Sequence, residues 1–398
     1  MLAELAVFNL VVVVVLLVVV LVASDTSGSI DSSDSSGVCG VGLKEACDCM
    51  SLQYKQADRY PQWGQHLICV KQNDNHDIDI RIIVNSVGNE VLLQYKYSGQ
   101  ELDDFKSFLY DNIGTSNNRN YDMWVVYNVD GSKKVTSLYD LIQLQSAIIY
   151  TNGLFLWPGV EIGHVHHTNL GFDIKTISLR PLVFEVMTFL SDEECDWIRT
   201  TSEPHMRQSG TSNMDQDQGK PPTEWRTSTT YFLPSDGNPI VQDIDRRVAN
   251  LTRTLTSQQE FVQVLRYLNG QKYDQHHDYF NKRFYQKDQH TLDMIENGEK
   301  NRFITVLWYL TTVSVGGHTI FPLFDGKRLK HDHDFTGCDH ENALKVAPEK
   351  GKVIIFYSLY ADGELDESSL HGACPNGPEE VKWAGNKWIW SKNLSFLT

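Results

Sequence analysis

Apolar residues change their spacing several times along this chain, and each change predicts a different element. Residues 5–23 are apolar except for Asn9, which as a helix approaches the roughly 20 residues needed to cross a bilayer. No basic segment precedes the run, and Glu4 is the one charged side chain before it, so residues 1–23 are expected to be an uncleaved membrane anchor. A signal peptide is the alternative, because Val22, Ala23 and Ser24 form a small-residue cleavage site. Residues 24–38 are almost entirely Ser, Asp and Gly, a composition that cannot bury a core and predicts a linker.

From residue 39 to about 170, the runs IDIRIIV, EVLLQYKY and MWVVYNV predict strands and residues 102–110 a helix. This is expected to be a small α+β domain without a chemistry-bearing motif. The HVHH cluster at His164–His167 has no third ligand at a metal-binding spacing and reads as a solvated loop. From about 180 to 398 the pattern sharpens. VFEVMTFL predicts a strand, and Ser191 with Glu194 forms a capping box ahead of an amphipathic helix. Residues 206–223 predict a long polar loop. Ile240, Ile244, Val248 and Leu251 recur at helical spacing, so residues 239–255 should pack one face on a core. After Phe261, the runs FVQVLRYL, RFITVLWYL, HTIFPLF, LKVAP, KVIIFYSLY and NKWIWSK alternate with Gly turns. Many short strands of this kind predict a mainly β architecture with flanking helices, a jelly roll.

Composition adds two constraints. The net charge of −16 excludes nucleic acid as a natural partner, since phosphate backbones are held by clustered Lys and Arg. Seven cysteines, at 39, 47, 49, 69, 195, 338 and 374, suit an oxidising compartment. Cys47 and Cys49 lack the spacing of a zinc knuckle or a redox pair and are expected to bond to other cysteines.

One constellation carries chemistry. In QKYDQHHDYF, His276 and Asp278 stand two apart, and in a strand such residues share a face. Non-haem iron(II) takes two histidines and one carboxylate and leaves three positions open. His371, in SSLHGACP after the strand run KVIIFYSLY, supplies the distal histidine if a barrel brings the two segments together.

The fragments FLSDEEC, RTSTTYF, QVLRYLNGQKYDQHHDYF, NRFITVLWYL, VGGHTIFP, LKVAPEKGKVIIFYSL, SLHGACP and KWAGNKWI follow one another in order over residues 182–390. In this, about half of the chain resembles the catalytic domain of the prolyl 4-hydroxylases, which are Fe(II)/2-oxoglutarate dioxygenases with a double-stranded β-helix fold. The resemblance implies that His276, Asp278 and His371 bind iron and that Lys382 meets the distal carboxylate of 2-oxoglutarate. It further implies that Tyr267 and Thr319 line the cosubstrate pocket, that Tyr273 and Trp388 line it towards the peptide, and that Arg302 helps to place the substrate. The implied reaction uses O2 and L-ascorbate to hydroxylate peptidyl proline at C4, with succinate and CO2 as coproducts. Its substrate would be a proline-rich, collagen-like or hydroxyproline-rich polypeptide in the endoplasmic reticulum or Golgi lumen, or outside the cell if a signal peptide is cleaved. Two departures stand out: His371 and Lys382 are eleven apart where the family has ten, and Trp390 stands where the family commonly has His. Trp390 keeps open a 2-oxoglutarate oxygenase acting on another residue such as lysine. A non-catalytic jelly roll binding Pro-rich chains is the alternative of another class. Cys338 and Cys374 flank the pocket and are expected to form a disulfide that braces the His371 loop.

Overall fold

Short strands bounded by Gly, Asn and Asp build most of the molecule. The computed structural model describes residues 63–394 apart from 86–88, 114–120, 213, 218, 222, 224 and 327–337. The segments expected over 1–23 and 24–38, together with Cys39, Cys47, Cys49 and the HDHD run at His331–Asp334, whose sequence predicts a solvated surface loop, lie outside the described residues. Among the described residues, no helix is long and apolar enough to cross a membrane.

Strands β1 (Gln65–Gln72), β2 (Ile78–Val84), β3 (Asn89–Tyr95), β4 (Val125–Tyr127), β5 (Lys134–Val135) and β6 (Ser146–Tyr150) form one antiparallel sheet in the order β3-β2-β1-β6-β4-β5. Helices Leu102–Ile113 and Leu138–Leu144 cover one face of it, burying Phe105, Leu109, Leu138 and Leu141 with Ile68, Ile80 and Ile149.

The remaining strands are β7 (Val165–His167), β8 (Asp173–Leu179), β9 (Leu182–Val186), β10 (Arg207–Gln208), β11 (Thr229–Leu233), β12 (Val262–Tyr267), β13 (Tyr273–His276), β14 (Arg302–Tyr309), β15 (Thr319–Phe321), β16 (Leu344–Val346), β17 (Val353–Tyr357), β18 (His371–Ala373) and β19 (Lys382–Trp390). They make a nine-stranded major sheet, β10-β11-β12-β19-β14-β17-β9-β8-β7, and a four-stranded minor sheet, β13-β18-β15-β16. Alternation along each major strand splits its side chains between two cores. Ile304, Val306, Trp308, Val353 and Ile355 face helices Asp192–Ser202 and Pro239–Thr252, whose Ile198, Ile244 and Val248 join the same cluster. Leu307, Tyr309, Ile354 and Phe356 face the other way and meet Phe321 and Val346 of the minor sheet. The two sheets therefore enclose a barrel interior, the expected jelly roll with flanking helices.

The Ser191/Glu194 capping box forms, and the helix expected over 239–255 ends at Thr252, where Arg253 turns left-handed at φ 56°. The HVHH segment is not a solvated loop. Val165–His167 is an edge strand paired with β8, and His166 is 4% exposed between Trp157 and Phe184, with Nε2 on the Pro158 carbonyl at 2.8 Å. Alternation decides this: His166 faces in while His167 faces out, a pattern that three histidines within four residues conceal. Burial pushes the His166 pKa down to about 4, so the ring is packed as a neutral core residue.

On the outer face, Lys387 of β19 pairs with Asp245 of the helix Pro239–Thr252 at 2.6 Å, with both side chains buried. Removing one partner of such a pair strands the other charge and costs about 3–5 kcal/mol. Lys387→Met should therefore lower the urea midpoint sharply, and the double variant Asp245→Leu/Lys387→Met should recover most of the loss. A single variant as stable as the wild type would mean that the pair is effectively solvated.

Candidate metal centre

Antiparallel pairing of β13 with β18 sets His276 directly opposite His371 and Tyr273 opposite Ala373. Residues in that relation project from the same face of a sheet, and the two imidazole centroids are 4.4 Å apart. Asp278 follows just beyond the end of β13. Its Oδ1 lies 3.8 Å from His276 Nε2 and its Oδ2 lies 3.6 Å from His371 Nε2. One ligand atom from each residue lies within 4.8 Å of the other two, and this is the one such group of three or more among the described residues.

Hydrogen bonds settle which ring nitrogens face one another. His276 Nδ1 lies 2.8 Å from the Asp274 carbonyl, and His371 Nδ1 lies 2.9 Å from the Ser369 carbonyl. A carbonyl only accepts, so each Nδ1 carries the proton and each Nε2 offers a lone pair towards Asp278. Burial, reinforced by His371, pushes the His276 pKa well below its ordinary value, which keeps that imidazole neutral. Burial alone would raise Asp278, but His371, His276 and Arg302, with the Thr305 hydroxyl donating to Oδ2 at 2.6 Å, outweigh it and hold the carboxyl below its ordinary range. Two Nε2 lone pairs and a carboxylate converging on one point are the donor set of a facial iron(II) site, so the residues fit the metal.

A second feature lies inside the same barrel. Lys382, in register with Tyr267, is 1% exposed, and no carboxylate among the described residues lies within ion-pair reach of it. Its ammonium is 5.3 Å from the Tyr267 ring and 5.8 Å from the Tyr309 ring. The Tyr309 hydroxyl donates to Thr319 Oγ1 at 2.8 Å. A buried cation without a counter-ion is costly, and burial lowers the Lys382 pKa to about 7. An incoming carboxylate would restore the charge and supply the missing partner.

Tyr273 stacks on His276 with centroids 3.7 Å apart. Arg302 lies 3.6 Å from the Trp388 ring centroid, but its guanidinium is engaged by Glu260 through bonds of 2.7 and 3.0 Å. Trp390 donates Nε1 to the same carboxylate at 2.7 Å and stacks on Phe280. The indole is thus a buried support of the Arg302–Glu260 pair. The extra residue between His371 and Lys382 does not disturb β19, whose pairing with β12 begins at Lys382; Glu379 turns left-handed in the connection, at φ 64°. Cys338 and Cys374 are bridged, three residues beyond His371.

Four residues of this neighbourhood carried no assignment from sequence. Arg226, within RTSTTYF, lies over the Tyr273 ring at 4.4 Å and donates to Gln263 and Ser228. Thr305 and Tyr309 face inward on β14, and Glu260 holds Arg302. Alternation along RFITVLWYL was the available signal for Thr305 and Tyr309; nothing in the sequence marks Glu260.

A jelly roll holding this cluster defines a class, the Fe(II)- and 2-oxoglutarate-dependent dioxygenases. Residues 262–390 match the profile of the 2OG-Fe(II) oxygenase superfamily. A probable prolyl 4-hydroxylase 7 of Arabidopsis thaliana is 35% identical over 231 residues, spanning 57% of this chain and 69% of that one. Prolyl 4-hydroxylase 2 of the same plant is 33% identical over 219 residues, spanning 54% of this chain and 69% of that one. Among solved structures, the viral collagen prolyl hydroxylase of Paramecium Bursaria Chlorella virus-1 in complex with 2OG is 22% identical, covering 52% of this chain and 95% of that one, with a TM-score of 0.34. Within the oxygenase class, the chain belongs to the prolyl 4-hydroxylase family.

The Lys382 shift has a measurable sign. Its folded pKa of about 7 lies below the ordinary 10.5, so between those values the unfolded chain binds more protons and stability rises with pH. Denaturation of metal-free protein at pH 7, 8 and 9 should show wild type gaining on Lys382→Met by up to about 1.4 kcal/mol per unit. A difference that does not change with pH would mean that the ammonium is already compensated.

Proposed function

We propose that the protein hydroxylates peptidyl proline at C4 in proline-rich, collagen-like or hydroxyproline-rich polypeptides. The observation that carries this reading is the convergence of His276, Asp278 and His371 on one point of a barrel whose interior also holds the uncompensated Lys382. Iron bound there supplies oxidation of a C–H bond by O2, coupled to decarboxylation of 2-oxoglutarate to succinate and CO2, with ascorbate keeping the metal ferrous.

The chain's own part is binding and shielding. Asp278 and the two Nε2 atoms hold the metal. Lys382, with the Tyr309–Thr319 hydroxyl pair and the Tyr267 ring beside it, receives the distal carboxylate of the cosubstrate. Tyr273 closes one side of His276 and Trp388 one side of the cavity near Asp278, where Arg302 is held by Glu260 as a fixed positive charge. The most exposed member of the cluster is His276, whose side chain is 20% exposed, and this is the approach left for a peptide. The disulfides at Cys338–Cys374 and at Cys69 support a lumenal or extracellular setting.

Mass spectrometry of a proline-rich peptide incubated with the full-length protein, Fe(II), 2-oxoglutarate and ascorbate should show one added oxygen at proline, absent with His371→Ala. Lys382→Met should raise the KM for 2-oxoglutarate by at least about 30-fold, the lower end of what losing a buried charge partner costs. Turnover of 2-oxoglutarate that depends on His371 without proline oxidation would point to another target residue, the alternative that Trp390 keeps open. A metal-loaded protein without turnover would point to a binding module.

A further inference from the structure

Between β17 and β18 the second of two tight turns, Glu367–Ser369, contributes no donor atom to the metal cluster yet touches both of its halves. The Ser369 carbonyl accepts the Nδ1 proton of His371 at 2.9 Å. The Glu367 carbonyl accepts from His277 Nε2 at 3.0 Å, and His277 is the residue between His276 and Asp278. Two carbonyls two residues apart therefore meet the two segments that supply the donors.

Asp366 holds that turn. Its Oδ1 accepts from the Ser368 backbone N–H at 2.9 Å, the Ser368 hydroxyl at 2.6 Å and the Tyr360 hydroxyl at 3.0 Å. Its backbone carbonyl accepts the Ser369 hydroxyl at 2.7 Å, and its N–H donates to the Ser358 carbonyl at 2.9 Å. The residue is 5% exposed, so these bonds form away from competing water and each is worth more than a surface bond. Ser358 directly follows β17, so Asp366 also ties the turn to the central sheet.

We infer that Asp366 is a positioning residue of the metal centre, fixing through its capped turn the two carbonyls that orient His371 and the His276–Asp278 segment. The inference rests on the iron-centre reading. The chemical logic is that of a histidine ligand whose ring orientation and tautomer are set by the acceptor on its other nitrogen, here a backbone carbonyl that is itself held by a buried carboxylate. Asp366 touches neither metal nor substrate in this role. Its effect is on how readily the three donors converge.

The test is titration of metal-free, full-length protein with Co(II), read by its ligand-field absorption, beside the melting temperature of the same metal-free samples. Asp366→Ala should weaken Co(II) binding by about 10- to 100-fold, the usual effect of removing an outer partner of a ligand. Asp366→Asn, which keeps an acceptor oxygen in the same place, should restore most of the affinity. His277→Ala should weaken binding less, since the His371 contact survives. Unchanged Co(II) affinity in Asp366→Ala, with a lowered melting temperature, would reduce Asp366 to a turn stabiliser and overturn the inference. If that variant does not fold, Tyr360→Phe and Ser369→Ala, which remove one bond each, decide by the same two readouts. Wild type that binds no Co(II) would overturn the iron-centre reading itself and this inference with it.

Discussion

Antiparallel register between β13 and β18 is the constraint on which the site depends. It places His276 opposite His371, one residue out of step with the Tyr273–Ala373 pair because β13 bulges between Tyr273 and His276, and since side chains alternate across a strand, a further slip of one residue would turn one imidazole to the far side of the sheet. Three things hold the register. Tyr273 and Ala373 pack with Tyr267, Leu265 and Ala384 of the major sheet; β15 pairs with the other edge of β18 through Thr319 and Ile320; and the disulfide at Cys374 fixes the strand's exit. Gly372 sits between, with no room for a larger residue to be indifferent: a Cβ there would come within 3.1 Å of the Tyr273 carbonyl. Register thus sets the metal geometry, and the packing of ordinary apolar residues sets the register.

Charge placement separates the two faces of the major sheet. Outside, the buried Lys387 has its carboxylate in Asp245, the arrangement expected when a charge serves structure alone. Inside, Lys382 has aromatic neighbours, and Arg226 donates to the Gln263 and Ser228 side chains and the Gly210 carbonyl, all of them neutral. Lys382 and Arg226 thus have no carboxylate partner among the described residues, while Asp278 stays ionised beside Arg302 and the Thr305 hydroxyl. Such an interior is poised to accept an anion beside a metal, and the desolvation that makes it costly in the free protein is what an anionic ligand relieves.

Sequence made the local part of this legible and the cross-chain part only by resemblance. The pairing of His276 with Asp278 was expected from strand alternation, but β13 ends at His276 and Asp278 reaches the cluster from the bend that follows; the helix that buries Ile244 and Val248 followed from 3.6-residue spacing. The partner of His276 could not be derived from spacing, because the link to His371 runs through sheet pairing. Arg302 shows the limit in the other direction. Its position beside the TVL strand matched the family, but its guanidinium is spoken for by Glu260, a residue forty-two positions earlier that only the fold brings near. His166 was misread for a related reason: in a short edge strand, burial depends on what the neighbouring sheet places above it, and Trp157 and Phe184 come from elsewhere in the chain.

Trp157 also joins the first sheet to the catalytic one. Its backbone N–H donates to the Tyr357 hydroxyl at 2.9 Å, and its indole donates to the Leu251 carbonyl at 2.8 Å, so it touches both the end of β17 and the end of the helix Pro239–Thr252. Leu67, Ile148 and Tyr150 of the first sheet share a continuous apolar cluster with Val353, Tyr357 and Val248. Apolar burial in the first sheet thus supports the outer side of β17, the strand that leads through the Asp366 turn to His371. A connection made of this much buried aromatic surface is not a mobile tether.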